Sequence, residues 1–280
     1  MPSSITAAPP RIDRDPAAGP KSPISPTMMW GWIGCGLATA FAWYLTWVFA
    51  RAMNGDMPLA GGGTMSMMWM PMGGHSELFT AIFFLAMWEC MMVAMMLMSA
   101  IPILMISARA ARHAGASSAL AAVVAAGYFI SWLGFGVAVY IGGRLFGAAV
   151  MNSPALAHKV PILTGATLIA AGLYQLTPMK NACLRHCRSP LLVMADRWRP
   201  DWRAALKTGI HSGNFCVACC WPLMAVQCVL GLMNFPLMIG IATVIAAEKL
   251  VPRGAIIAMA AGMAMAIAGA AMIFHAAVFA

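Results

Sequence analysis

Apolar residues in this chain come in long runs separated by short polar stretches. The runs lie at about 28–50 and near 78–107, 119–142, 160–178, 209–232, 234–251 and 254–278. Each is roughly long enough to cross a bilayer core, so the pattern predicts seven transmembrane helices, the sixth being the shortest. The first run is too long for the apolar region of a signal peptide and has no Ala-x-Ala cleavage pattern, so it reads as a retained helix. Residues 1–27 mix Pro, Ser and Thr with Arg11, Asp13, Arg14, Asp15 and Lys21, a composition that cannot bury a core. The expected organisation is a disordered cytoplasmic tail over 1–27 and an all-α bundle over 28–280. A Met-rich external loop is expected at 51–77, and a Cys/Arg-rich cytoplasmic connection at 179–208.

Charge fixes the expected orientation. With the N-terminus in the cytoplasm, Arg11, Arg14, Lys21, Arg109, Arg112, Lys180, Arg185, Arg188, Arg197, Arg199, Arg203, Lys207, Lys249 and Arg253 fall inside. Only Arg51, Arg144 and Lys159 fall outside, so the 17 basic residues divide 14 to 3, as the positive-inside rule requires. The same asymmetry accounts for the net charge of +9 without a nucleic-acid partner. Composition agrees: 62% of residues are hydrophobic and 9% charged, against roughly 25% charged in a soluble domain. That excludes an ordinary cytosolic enzyme and a disordered chain, and it makes the lipid bilayer the first partner. Within the connection, Leu191–Lys207 sets Trp198 and Trp202 among Arg197, Arg199 and Arg203. This reads as an amphipathic segment lying in the membrane interface. No internal repeat is evident, so an inverted-repeat transporter is not indicated.

Three groups of residues carry candidate chemistry. On the cytoplasmic side, Cys183 and Cys187 follow the fourth predicted helix, while His211, Cys216, Cys219 and Cys220 lie in the fifth. Cytosolic thiols stay reduced, so such a cluster reads as metal-binding or redox-active before it reads as disulfides. Thiolates select Cu(I), zinc or iron–sulfur clusters, and Lys180, Arg185 and Arg188 favour the ligating form. Cys35, Cys90 and Cys228 read as small hydrophobes. Outside, Met53, Met57, Met65, Met67, Met68, Met70 and Met72 precede His75 and Glu77 in a loop that Gly and Pro keep free of regular structure. Thioethers with His suit copper, and 27 Met in 280 residues is an unusual supply. Between the two faces, helix two places Glu89, Met92 and Met96 on one stripe, with Met91, Met95 and Met98 beside it. An intramembrane carboxylate is a functional candidate by default, its alternative being a neutral acid bonded to Gln175 or Gln227.

The remaining polar residues carry less. Glu248 and Lys249 read as an interfacial pair, with a network from Glu248 to Lys180 as the alternative. His275 reads as structural, with His75 as its conceivable companion, and His113 flanks a helix. Pro178 and Pro222 sit where freed carbonyls need polar neighbours. No phosphate-binding loop, hydrolase elbow or Asp-Lys-Thr-Gly segment occurs, so no bond-making activity is indicated.

The run Trp88-Glu89-x-Met91-Met92-x-Ala94-Met95-Met96, with Tyr174-Gln175-x-Thr177-Pro178-x-Lys180-x-x-Cys183-Leu184-x-x-Cys187-Arg188-x-Pro190, resembles a known family. It is the family of bacterial predicted metal-binding integral membrane proteins, a domain of unknown function whose members are sometimes labelled copper chaperones. The similarity continues through Gly213-x-x-x-Cys216-x-x-Cys219-Cys220-Trp221-x-x-Met224, Gly231-x-Met233-Asn234 and Glu248-Lys249, covering roughly 78 to 265. Met98 stands where the family pattern has a proline, and Pro102 supplies a later one. The resemblance implies a multi-helix domain of the bacterial inner membrane that binds metal, without an established reaction. Combined with the donor types, it leads to copper collected by Met and His outside and passed near Glu89 to cysteines inside or to a metalloenzyme partner. An iron–sulfur or dithiol oxidoreductase subunit, a zinc site, or a structural subunit of a membrane complex are the alternatives.

Overall fold

The computed structural model describes residues 26–52, 56–58, 64–66, 76–191, 194 and 198–279. The helices with defined bounds among them are α1 (Pro26–Ala52), α2 (Glu77–His113), α3 (Leu120–Asn152), α4 (Pro154–Gln175), α5 (Pro178–Cys187), α6 (Trp202–Leu230), α7 (Phe235–Leu250) and α8 (Gly254–Phe279). Six of them, all but α5 and α7, are long and apolar enough to cross a membrane. The chain is thus the all-helical polytopic bundle that the hydrophobic pattern predicts. The sixth predicted span differs: α7 has only 16 residues, about 24 Å at helical rise, short of a core roughly 30 Å thick.

Helix ends follow local chemistry. Ser76 caps α2, its hydroxyl accepting from the Phe79 N–H. Gly115, at φ +70°, closes that helix in the left-handed conformation glycine tolerates best. Asp201 caps α6 through the Arg203 and Ala204 N–H groups, so this helix begins earlier than its apolar run. Trp202–Lys207 therefore forms the first turns of α6; residues 192–193 and 195–197 lie outside the described ones. Thr177 caps α5 with Pro178 in its first turn, where the missing N–H costs nothing. The short link from α6 to α7 uses Gly231 at φ +119° and the Asn234 cap.

Small residues set the closest helix contacts, as expected where no water drives association. α3 and α6 run parallel, with Gly209 against the Val124 carbonyl and Gly213 against Tyr128 and Ser131. α4 and α8 run antiparallel, pairing Gly165 with Gly269 and Gly172 with Gly262. α2 is the most enclosed element: Phe84, Met87, Trp88, Met91, Met92 and Met96 are essentially inaccessible. The Trp88 Nε1–H donates to the Trp132 carbonyl at 3.1 Å. Outside the helices, Asp56–Pro58 (β1) and Thr64–Ser66 (β2) form a two-stranded antiparallel ribbon with Met57 opposite Met65. The Met-rich loop therefore has some regular structure, contrary to its Gly and Pro content.

Candidate metal centre

A proline in α6 organises the thiol region. Pro222 has no N–H, so the Ala218 carbonyl one turn earlier loses its helical donor. The Tyr174 hydroxyl donates to that oxygen at 2.7 Å, and Lys180 Nζ donates to the neighbouring Cys219 carbonyl at 2.9 Å. The exposed α6 backbone is thus satisfied by α4 and α5, as buried backbone polar groups require. Lys180 is itself fully buried and paired: Nζ lies 2.6 Å from Glu248 Oε2, while Gln175 Nε2 donates to Glu248 Oε1 at 2.8 Å. Burial opposes the Lys180 charge, but Cys220, Cys219 and Glu248 outweigh it, holding its pKa above the ordinary lysine value. Arg188 completes the knot, donating to the Glu248 and Pro252 carbonyls at 3.4 and 3.0 Å. Glu248 and Lys249 are therefore buried, which overturns the interfacial reading and favours the network with Lys180.

This knot brings the two cysteine segments together. Cys187 of α5 and Cys216 of α6 line one cavity, and Cys219 and Cys220 are buried on the next turn of α6. Cys216 Sγ also receives the Tyr128 hydroxyl at 2.7 Å and Lys249 Nζ at 2.9 Å. Cys183, one turn before Cys187, is half-buried and packs against the same core. Beside the thiols lies a cavity of about 30 Å³ lined by Ser99, Tyr128, His186, Cys187, Cys216 and Lys249. That volume suits one or two water-sized occupants. The His211 ring stands 5.2 Å from that of His186, and Phe215 stacks on His186 at 3.8 Å. Among the described residues, no three His, Cys, Asp or Glu side chains are arranged to hold a metal ion.

The other predicted ligands are dispersed. Met92 and Met96 are fully buried in α2. Glu89 is half-buried, with Oε1 shielded and without a hydrogen-bond partner. Its expected alternative partners are engaged elsewhere, Gln175 with Glu248 and Gln227 with Met91 Sδ and the Leu232 carbonyl, both at 3.3 Å. Ten residues, or about 15 Å of helical rise, separate Glu89 from the cavity residue Ser99. The spacing is nonetheless helical throughout: Glu89, Met92, Met96 and Ser99 recur at intervals of three and four, so one face of α2 leads down to the cavity. Met65 lies in β2, whereas Met67, Met68, Met70 and His75 lie outside the described residues. Sequence reasoning missed His186, Tyr128 and Tyr174. His186 was visible between Cys183 and Cys187, but nothing local placed it against α6.

A helical bundle with six helices fit to span a membrane and buried thiols set among buried lysines defines the class of this protein. Residues 85–272 match the model of the PpoB2 family, described as a copper chaperone, and the chain belongs to that family. No curated protein and no solved structure matches the chain.

Proposed function

We propose that this protein binds copper and transfers it through the membrane-embedded bundle, from the Met/His loop at 51–77 toward the cysteines of α5 and α6. The observation that carries the reading is that Cys187 of α5 and Cys216 of α6 line one small cavity, with Cys219 and Cys220 buried on the next turn of α6. Thiols are the donors that Cu(I) prefers, and the label of the family agrees. Ligation requires their protons to leave, and Lys249 against Cys216 and Lys180 beside Cys219 supply positive charge next to the resulting thiolates. Cys183, Cys187, Cys216, Cys219, Cys220 and His211 form the inner terminus. Glu89, Met92 and Met96 line the way, and Met65, Met67, Met68, Met70 and His75 collect the ion outside. The bilayer is the bacterial inner membrane, with the N-terminus and the cysteines on the cytoplasmic side. The recipient is a metalloenzyme or a membrane complex, and the transfer requires no bond-making.

Metal analysis tests this on anaerobically purified, detergent-solubilised protein beside a Cys187→Ser/Cys219→Ser variant. Copper in the parent that is lost from the variant supports the reading. Iron with visible absorbance would replace it with an iron–sulfur subunit, and zinc or no metal in either protein would refute it.

A further inference from the structure

The thiol cavity shares one lining side chain with a second space. On the face carrying the arginines, an open cleft of about 900 Å³ is lined by Asn181, Arg185, His186, Arg188, Ser189 and Pro252. The smaller cavity of about 30 Å³ is lined by Cys187, Cys216 and Lys249. His186 is the one side chain that lines both spaces. Its position is built: α5 carries it beside Cys187, Phe215 stacks on its ring at 3.8 Å, and His211 meets it edge-on at 5.2 Å. Its Nε2 is shielded from solvent. The arginines in the cleft wall are held elsewhere in part, Arg188 on the Glu248 and Pro252 carbonyls.

We infer that His186 is the transfer ligand through which a soft monovalent cation leaves the thiol cavity for the basic cleft. This deepens the copper reading and rests on it. Imidazole is a metal ligand of intermediate softness. An ion held by Cys187 and Cys216 has no other lining side chain of that kind between it and the open cleft. A ligand on the boundary lets the ion exchange one donor at a time instead of being released bare. The basic cleft then suits an acceptor bearing acidic groups, since opposite charge steers its approach. His186 is a positioning and transfer group, and the thiols remain the storage ligands. Its loss should therefore change the rate of release and leave the amount of copper bound unchanged.

The full-length protein in lipid nanodiscs, loaded anaerobically with Cu(I), is mixed with the coloured Cu(I) chelator bathocuproine disulfonate. Stoichiometry is measured before mixing and release rate afterwards, for the parent, His186→Gln, His186→Cys and the control Lys159→Ala, an exposed residue of α4 that lines neither space. The expected result is equal copper content throughout, release at least tenfold slower in His186→Gln, and near-parental release in His186→Cys and Lys159→Ala. Unchanged release in His186→Gln overturns the inference, as does equal slowing in His186→Gln and His186→Cys, which marks a purely structural role. A copper-free parent is visible before any release is measured and overturns the underlying copper reading instead.

Discussion

Replacing Lys180 by methionine removes the cation at the centre of the buried knot while keeping most of the side-chain volume. Two short hydrogen bonds disappear, to Glu248 at 2.6 Å and to the Cys219 carbonyl at 2.9 Å. Hydrogen bonds to charged groups contribute about 1.5–3 kcal/mol each, and a buried charge left without its partner costs about 3–5 kcal/mol. The two routes give about 3–6 and about 3–5 kcal/mol, or roughly 10² to 10⁴ in the folding equilibrium. Gln175 still donates to Glu248, but one amide cannot replace the ammonium, and no water-exposed surface lies within reach because both partners are fully buried. The assay is reversible unfolding in mixed micelles of increasing denaturing detergent, followed by helicity. Lys180→Met should shift the midpoint sharply, and Lys180→Met/Glu248→Leu should recover half or more of the loss because no orphaned carboxylate remains. A single variant within about 1 kcal/mol of the parent, or a double variant whose losses simply add, would refute the reasoning.

Other expectations rest on separate contacts. Tyr174→Phe removes the donor to the carbonyl freed by Pro222 and should cost about 1–1.5 kcal/mol; in a Pro222→Ala background, which restores the helical N–H, the same change should cost much less in the same unfolding assay. Gly213→Ala puts a methyl group 2.6 Å from the Tyr128 carbonyl, so α3 and α6 must separate, at about 1–3 kcal/mol read as a lowered melting temperature. Cys183 and Cys187 are half-buried while Cys216, Cys219 and Cys220 are buried. Maleimide labelling resolved by mass spectrometry should therefore modify the first two at least tenfold faster, and Cu(I) should slow labelling of Cys187.

The long apolar helices were legible because each span needs a continuous run, and the boundaries that moved did so through caps or short links. Asp201 starts α6 well before its apolar part, and Asn234 with the buried end at Lys249 leaves α7 too short to span. The pairing of the cysteine segments was legible from their place on either side of one connection. What the sequence could not display was partnership across distance. Glu248 is 68 positions from Lys180, so an adjacent Glu-Lys pair near a helix end looked interfacial when each member in fact has a separate buried partner. Tyr128 and Cys216, 88 positions apart, meet only because glycines let α3 and α6 approach. His186 looked like one more polar residue of a basic connection until α5 turned it toward Phe215 and His211.

The central claim is that copper rests on the thiols of α5 and α6. X-ray absorption at the copper edge, on the anaerobically Cu(I)-loaded full-length protein beside Cys187→Ser/Cys216→Ser/Cys219→Ser, tests it most directly. The account predicts a first shell dominated by sulfur in the parent and a loss of thiolate sulfur together with bound copper in the variant. An unchanged shell and unchanged copper content in the variant would contradict it.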